Sequence, residues 1–359
     1  MSLNAIKILN FRNYEKIEVE GFEKFNILFG MNGSGKTNFL EAVFTLSQGK
    51  TFRKGPMEDL VQWGKTSFYI GGSFNNERKE IGYNLQRKVL RENNLVISEI
   101  EFGSISPAVV FLPEDIAVVS GTPEERRVFM DRTLSLLDRN YAHSLLIFQK
   151  VLRQRNAQLK LSFRDVHIWD EDFVRHGSFV IEKRLIFMRN IGAKIKAIYS
   201  EFFGDEIELK YFNTFKIEGD VRNSFLKALE ENRYLEMKKR ISLVGPHRDN
   251  FEIRKHDKKS GAFFSQGQTR LLALALKLSQ AEDLSKKGIN TPEPILLLDD
   301  VLLELDEKSR DKFLERTINY QTFLTTTSHY SFNGSAAHKN LFLIDRGTIK
   351  VIDSFRYFS

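Results

Sequence analysis

Short apolar and alternating runs dominate the first third of the chain. Residues 4–10, 15–20, 25–29, 67–74, 81–87 and 108–111 read as strands, punctuated by Gly and Asn. Between about residues 123 and 236 the apolar positions recur at three and four instead. Leu134, Leu137, Tyr141, Leu145, Phe148 and Val151 with Leu152 make one such series, and Ile181, Leu185, Met188, Ile191, Ile195, Ile198 and Phe202 make another, so this stretch predicts helices. Strand patterns return after residue 240, at 295–298 and 321–325, and 341–352 predicts a terminal hairpin. The expected organisation is an α/β head built from residues 1–115 and 240–359, divided by a helical lobe over 116–239. No heptad pattern persists and no repeat or low-complexity linker is visible, so the lobe is expected to be compact, without a long coiled coil.

One junction between a strand and a helix carries chemistry. The 25–29 run leads into Gly30-Met31-Asn32-Gly33-Ser34-Gly35-Lys36-Thr37, and the helical stretch 38–47 follows, beginning at Asn38. Gly, four free positions, Gly, Lys, Thr is the spacing of a phosphate-cradling loop. Its glycines let successive backbone amides point at phosphates, Lys36 reaches the outer phosphates, and Thr37 is placed to hold magnesium. ATP or GTP is the natural ligand.

Composition changes the picture by exclusion. At 359 residues and 42 % hydrophobic content the chain can bury a large core, and the absence of cysteine rules out disulfides, thiolate metal sites and thiol catalysis. No run approaches the roughly 18 uncharged apolar residues of a membrane span, and the first residues lack a signal peptide's layout, so the cytoplasm is the expected compartment. Charge is unevenly spread. Between Arg126 and Arg164 nine Lys or Arg face two acids, an excess equal to the whole chain's net +7. Such a concentration is the electrostatic footprint of a surface that meets nucleic acid, although a solvated helix face gives the same count.

Two distant segments complete the site. The 295–298 strand ends in Asp299 and Asp300, which is how a buried parallel strand brings carboxylates to a sheet edge beside a phosphate loop. Asp299 is placed to hold magnesium through water. Asp300 is placed to orient or deprotonate the attacking water, the acceptor that phosphoryl transfer requires. Upstream, Ser265-Gln266-Gly267-Gln268 opens an apolar helix and makes a second anion site. Two anion sites for one nucleotide make sense when each copy of the chain offers one to the other's nucleotide.

These segments together resemble the RecF family of cassette-type ATPases, related to the SMC heads. Asn10-Phe-Arg12-Asn-Tyr14, the loop and helix 32–42, the segment 113–131, Val244-Gly-Pro-His-Arg-Asp249 and Ser265-Gln-Gly-Gln268 all match, so the likeness spans almost the whole chain. It implies an SMC-head-like α/β fold and a homodimer that closes around two ATP molecules with Mg2+. Lys36, Thr37 and Asp299 would bind them, Asp300 would activate water, Arg12 would touch phosphate or ribose, and Ser265, Gly267 and Gln268 would cap the second copy's γ-phosphate. The implied task is to engage duplex DNA near single-strand gaps and, with RecR and RecO, to place RecA on the single strand. Arg126, Arg127, Arg153 and Arg155 represent the expected DNA face. Leu303 replaces the family's usual Ser, and Asp300 stands where Glu is common among cassette ATPases. Weakened cross-dimer coupling and slow, switch-like hydrolysis are expected. His329 is the candidate γ-phosphate sensor, with Thr326 and Thr327 as alternatives.

Two other classes fit parts of the sequence. A transporter's nucleotide-binding subunit shares the loop and the paired acids, but it leaves the helical insert and its charge unexplained. A DNA-processing ATPase would need a second acidic metal cluster, which the sequence does not display.

Overall fold

The computed structural model describes residues 2–75, 77–161, 165–255, 258–259, 264–286, 293–302, 305–327 and 339–352. In chain order, residues 2–114 form β1 (Leu3–Phe11), β2 (Tyr14–Glu20), β3 (Phe25–Phe29), α1 (Lys36–Gln48), β4 (Ser67–Phe74), β5 (Glu77–Asn84), β6 (Arg87–Glu92), β7 (Leu95–Val96), α2 (Glu99–Ile105) and β8 (Ala108–Phe111). Residues 115–279 contain α3 (Ala117–Ser120), α4 (Pro123–Leu137), α5 (Arg139–Leu161), α6 (Asp170–Phe203), β9 (Glu208–Phe212), α7 (Val221–Lys239), β10 (Asn250–Lys255), β11 (Lys258–Lys259) and most of α8 (Gln266–Ser285). After them come β12 (Ile295–Leu298), α9 (Glu307–Thr317), β13 (Thr322–Thr326), β14 (Lys339–Asp345) and β15 (Thr348–Ile352). Contacts divide the chain into two units, 1–114 with 280–359, and 115–279. No helix among the described residues is long and apolar enough to cross a membrane.

The first unit stacks two six-stranded sheets. One is antiparallel, in the order β2-β1-β4-β5-β6-β7; the other runs β15-β14-β3-β13-β12-β8 and is parallel except at its edge strand β15. The central parallel strands are short, β-rich and buried on both faces: β12 reads Ile-Leu-Leu-Leu with every residue buried, and β13 is equally enclosed. Helix α1 contacts β1, β4 and β5 of one sheet and β8 and β13 of the other. Phe39, Leu40, Val43 and Leu46 are fully buried, so this helix is a core element gripped on two sides. Its N-terminus is thereby fixed at the ends of β3, β12 and β13.

One buried cation fastens the far end of α1. Lys79 on β5 has no solvent exposure, and its ammonium donates to Ser47 O, Phe102 O and Ser106 Oγ, each at 2.8 Å. Three acceptors match three donors, and two of them are carbonyls in the last turns of α1 and α2. Burial nevertheless pushes its pKa down to about 7. The folded-state value lies below the unfolded one, so the stability of the native chain falls as pH drops from the unfolded toward the folded value. Relative to Lys79→Met, the native chain should therefore gain about 3 kcal/mol between about pH 7 and about pH 9.5 in urea titrations. A difference that does not move with pH would contradict the desolvated-ammonium account.

The stretch 81–87, expected as one strand, spans the end of β5, a turn at Leu85 and Gln86, and the start of β6. β5 ends at Asn84, whose side chain accepts from the backbone amides of Gln86 (3.1 Å) and Arg87 (2.8 Å), and this reverses the chain into β6.

The second unit is a helical lobe with a small sheet, and its longest helix, α6, has 34 residues packed against α5, α7 and β9. Residues 240–279, expected in the head, group with this unit instead. The cause is pairing and buried charge. β10 pairs antiparallel with β9, a strand the helical reading of 123–236 did not anticipate. Arg184 donates to Pro246 O at 2.6 Å and pairs with Asp131 at 2.7 Å, while Asp249 accepts from Tyr211 Oη at 2.7 Å and from the Thr214 amide at 3.2 Å. The segment 242–249 is thus held from below by the lobe's own polar core.

Candidate nucleotide site and nucleic-acid face

The loop after β3 is shaped by what its glycines exclude. A Cβ on Gly30 would lie 2.3 Å from Ile344 O and 2.7 Å from Ser34 Oγ. Gly35 has φ +118°, and a Cβ there would meet Asn13 Nδ2 at 2.5 Å. Asn13 and Tyr14 brace the loop by donating to Ser34 O (3.2 Å) and Gly35 O (2.9 Å). The helix that follows has Gly35 at its N-cap and no side-chain cap, so its first amides are left for an anion. Asn32 and Gly33 sit exposed at the rim, and Ser34 is buried with its hydroxyl unpartnered.

Lys36 is 4 % exposed and donates to Gly30 O (2.8 Å) and Met31 O (3.1 Å). Burial lowers its pKa, and the negative charges of Asp300 and Asp299 oppose that shift. Thr37 donates to Asp299 Oδ1 at 3.0 Å, joining the loop helix to the end of β12. Burial raises the Asp299 pKa, against hydrogen bonds from Thr37 and Thr325. An uncapped helix, a cradle closed to a Cβ at Gly30 and Gly35, an orphaned hydroxyl and a Thr-Asp pair fit a nucleotide triphosphate with magnesium. No group of three or more His, Cys, Asp or Glu that could hold a metal occurs among the described residues. A magnesium ion held here would take its remaining ligands from phosphate and water, as that ion prefers.

Sequence reasoning missed a carboxylate beside the loop. Glu41, on α1 and fully buried, accepts from Arg12 Nε (2.9 Å) and Nη2 (3.1 Å) and from Thr51 Oγ1 (2.6 Å), with Arg53 at 3.4 Å. Arg12, expected on nucleotide phosphate or ribose, is held bidentately by this acid. Arg53 in turn donates to Asn38 Oδ1 (3.1 Å), and Asn38 donates to Asn13 Oδ1 (2.8 Å). The network ties the β1–β2 turn to the phosphate loop. Charge on α1's buried face was the available signal.

In the second unit, Ser265 and Gln268 cap each other: the Ser265 amide donates to Gln268 Oε1 (3.0 Å), and the Gln268 amide to Ser265 Oγ (3.2 Å). Gly267, the second residue of α8, has nothing within 4 Å of the place a Cβ would take. Leu303 and His329 lie outside the described residues.

The expected DNA face needs correction at Arg155. That residue is 1 % exposed, and its guanidinium pairs with Asp170 (3.0 Å) and Glu236 (2.6 Å) and donates to Ser242 Oγ (2.7 Å). It is a core cation, because it falls on α5's apolar stripe with Phe148, Val151 and Leu159. Arg126 and Arg127 are half-buried; Arg126 bonds Asn250 Oδ1 (2.7 Å) and Gly121 O (2.9 Å), and Arg127 bonds Asp249 O (3.0 Å). Arg153 is exposed. Lys150 and Lys160, three residues before it and seven after, are exposed on the same face of α5.

A phosphate loop and a strand-end acid pair on one parallel sheet, with the loop helix clasped by an antiparallel sheet, define a P-loop ATPase head. Within that class the chain belongs to the family described as RecF/RecN/SMC N terminal domain, which matches residues 2–350. It is 33 % identical over 356 residues to the DNA replication and repair protein RecF of Thermoanaerobacter sp. (strain X514), covering 94 % of this chain and 98 % of that protein. The protein of the same name from Natranaerobius thermophilus is 34 % identical over 378 residues, with 97 % of each chain covered. Among solved structures, that of the recombination mediator protein RecF-ATP in RecFOR pathway matches with TM-score 0.88 at 31 % identity, covering 98 % of this chain and 97 % of that one. An SMC head bound to the C-winged helix domain of ScpA matches with TM-score 0.57 at 17 % identity, a likeness of fold alone.

Proposed function

We propose that this chain is an ATP-switched DNA-binding protein of recombinational repair and replication. The observation that carries the reading is the convergence of Lys36, Thr37 and Asp299 where β3 and β12 end and α1 begins, in a chain whose RecF relatives match it along nearly its full length. Lys36 would leave the carbonyls of Gly30 and Met31 for the outer phosphates, and Thr37 and Asp299 would turn from each other to hold magnesium. The cation supplies charge neutralisation for phosphoryl transfer. Asp300 would accept a proton from the attacking water, and an aspartate's shorter reach suits slow, DNA-stimulated hydrolysis used as a timer.

Dimerisation follows from the second anion site. Ser265, Gly267 and Gln268 of one copy would cap the nucleotide of another, and the open space at Gly267 supports close approach by an external group. DNA would lie along Lys150, Arg153 and Lys160, read through phosphates and without sequence preference. RecR, with RecO and RecA downstream, are the proposed partners at gapped DNA.

Ser265→Arg tests the arrangement. ATP affinity should stay within about twofold of wild type while ATP-dependent dimers disappear in analytical ultracentrifugation, because a bulky cation fills the cap that one copy would offer to the other's nucleotide. Tight ATP-dependent dimers of this variant would overturn the sandwich.

A further inference from the structure

We propose that Thr325 is a positioning residue that fixes the geometry of both strand-end acids. The inference rests on the reading of Asp300 as the group that accepts a proton from water. Thr325 is 1 % exposed on β13, one residue past the pairing of Leu324 with Leu298, so it lies level with the end of β12. Its hydroxyl oxygen accepts the Asp300 backbone N–H at 2.8 Å and lies 2.9 Å from Asp299 Oδ1 and 3.3 Å from Asp300 Oδ1.

A threonine hydroxyl has one proton and two lone pairs. One lone pair is occupied by the Asp300 amide, so the single proton serves one carboxylate at a time. In this structure the shorter distance is to Asp299, whose Oδ1 also takes the Thr37 hydroxyl. Asp300 has φ +50°, a left-handed conformation that a non-glycine residue holds only when its surroundings impose it. The bond from its amide to Thr325 is one such constraint. The sheet itself does not need the hydroxyl, since a valine fills a doubly buried parallel strand equally well. When Thr37 turns away from Asp299, Thr325 remains to hold the acid pair in register. It thereby keeps Asp300 aimed while the rest of the site rearranges.

The test compares Thr325→Val, Thr325→Ser and Asp300→Asn with wild type. In the nucleotide-free protein, hydrogen exchange at the Asp300 amide should speed at least about tenfold in Thr325→Val and return to wild type in Thr325→Ser. ATP affinity without magnesium should stay within about twofold in both. At saturating ATP, kcat should fall roughly 10- to 100-fold in Thr325→Val with KM little changed, and Thr325→Ser should restore it to within about threefold. If Thr325→Val does not fold, Thr325→Ala takes its place with the same expectations.

Wild-type kcat or an unchanged Asp300 amide in the valine variant overturns the proposal, as does failure of serine to rescue. Asp300→Asn separates the two levels of the argument. If it hydrolyses ATP like wild type, the reading of Asp300 fails. If it is inactive while Thr325→Val is unaffected, only the role of Thr325 is lost.

Discussion

Lys36→Ala should lower ATP affinity by roughly 100- to 1000-fold and abolish ATP-dependent dimerisation. The ammonium is buried at the floor of the loop, held by Gly30 O and Met31 O. A charge-assisted contact to phosphate in such a desolvated place accounts for about 3–4 kcal/mol, and each 1.4 kcal/mol is tenfold in affinity. The fold should survive, because α1 stays gripped by both sheets. Titration with a fluorescent ATP analogue, read beside sedimentation, measures both effects. Dimerisation that persists unchanged would refute the role given to this residue.

Arg155→Ala should destabilise the lobe by about 3–5 kcal/mol, the cost of leaving buried partners of an ion pair without their cation. Glu236 is 1 % exposed and has the Leu243 amide as its other donor, and Asp170 keeps Arg233 at 2.9 Å. Any loss of DNA binding in this variant would follow unfolding. Arg153→Ala gives the opposite pattern: stability within about 0.5 kcal/mol of wild type, weaker DNA binding, and a salt dependence shallower by about one ion. Urea titration and DNA binding across salt concentrations separate the two arginines. An Arg155 variant of native stability that no longer binds DNA would restore the original expectation.

The contrast between those arginines shows where sequence reasoning stops. The phosphate loop and the Asp299-Asp300 strand were legible because their chemistry is contiguous and their spacing is fixed by the backbone's approach to phosphate. Charge counting over 126–164 ignored helical phase. Read at three and four residues, Arg155 falls in register with Phe148, Val151 and Leu159, and its burial was within reach of the same periodicity that predicted the helix. Glu41, Lys79 and Thr325 were not legible in this way. The carbonyls that Lys79 reaches lie 32 and 23 residues away, on helices packed beside its strand, and the acids of Thr325 lie 25 and 26 residues before it, brought level by the parallel pairing of β12 with β13. The β9–β10 pair escaped for a related reason. Five residues of weak alternation specify no strand until a partner 38 to 46 residues on supplies the ladder.

The boundary near residue 240 teaches a similar lesson. Strand patterns after that point invited assignment to the head, yet β10 completes a sheet inside the lobe, and the loop before it is pinned by Arg184 and Arg155. Long-range pairing, which no local pattern displays, decided which unit received this segment.

The most direct test of the central claim is sedimentation velocity of a labelled gapped duplex with this protein at physiological salt, without nucleotide, with ADP, and with ATP and magnesium. The account predicts that only ATP with magnesium yields a complex carrying two protein copies. A DNA that never shifts while ATP binds, or a complex identical in all three conditions, would contradict an ATP-switched DNA clamp.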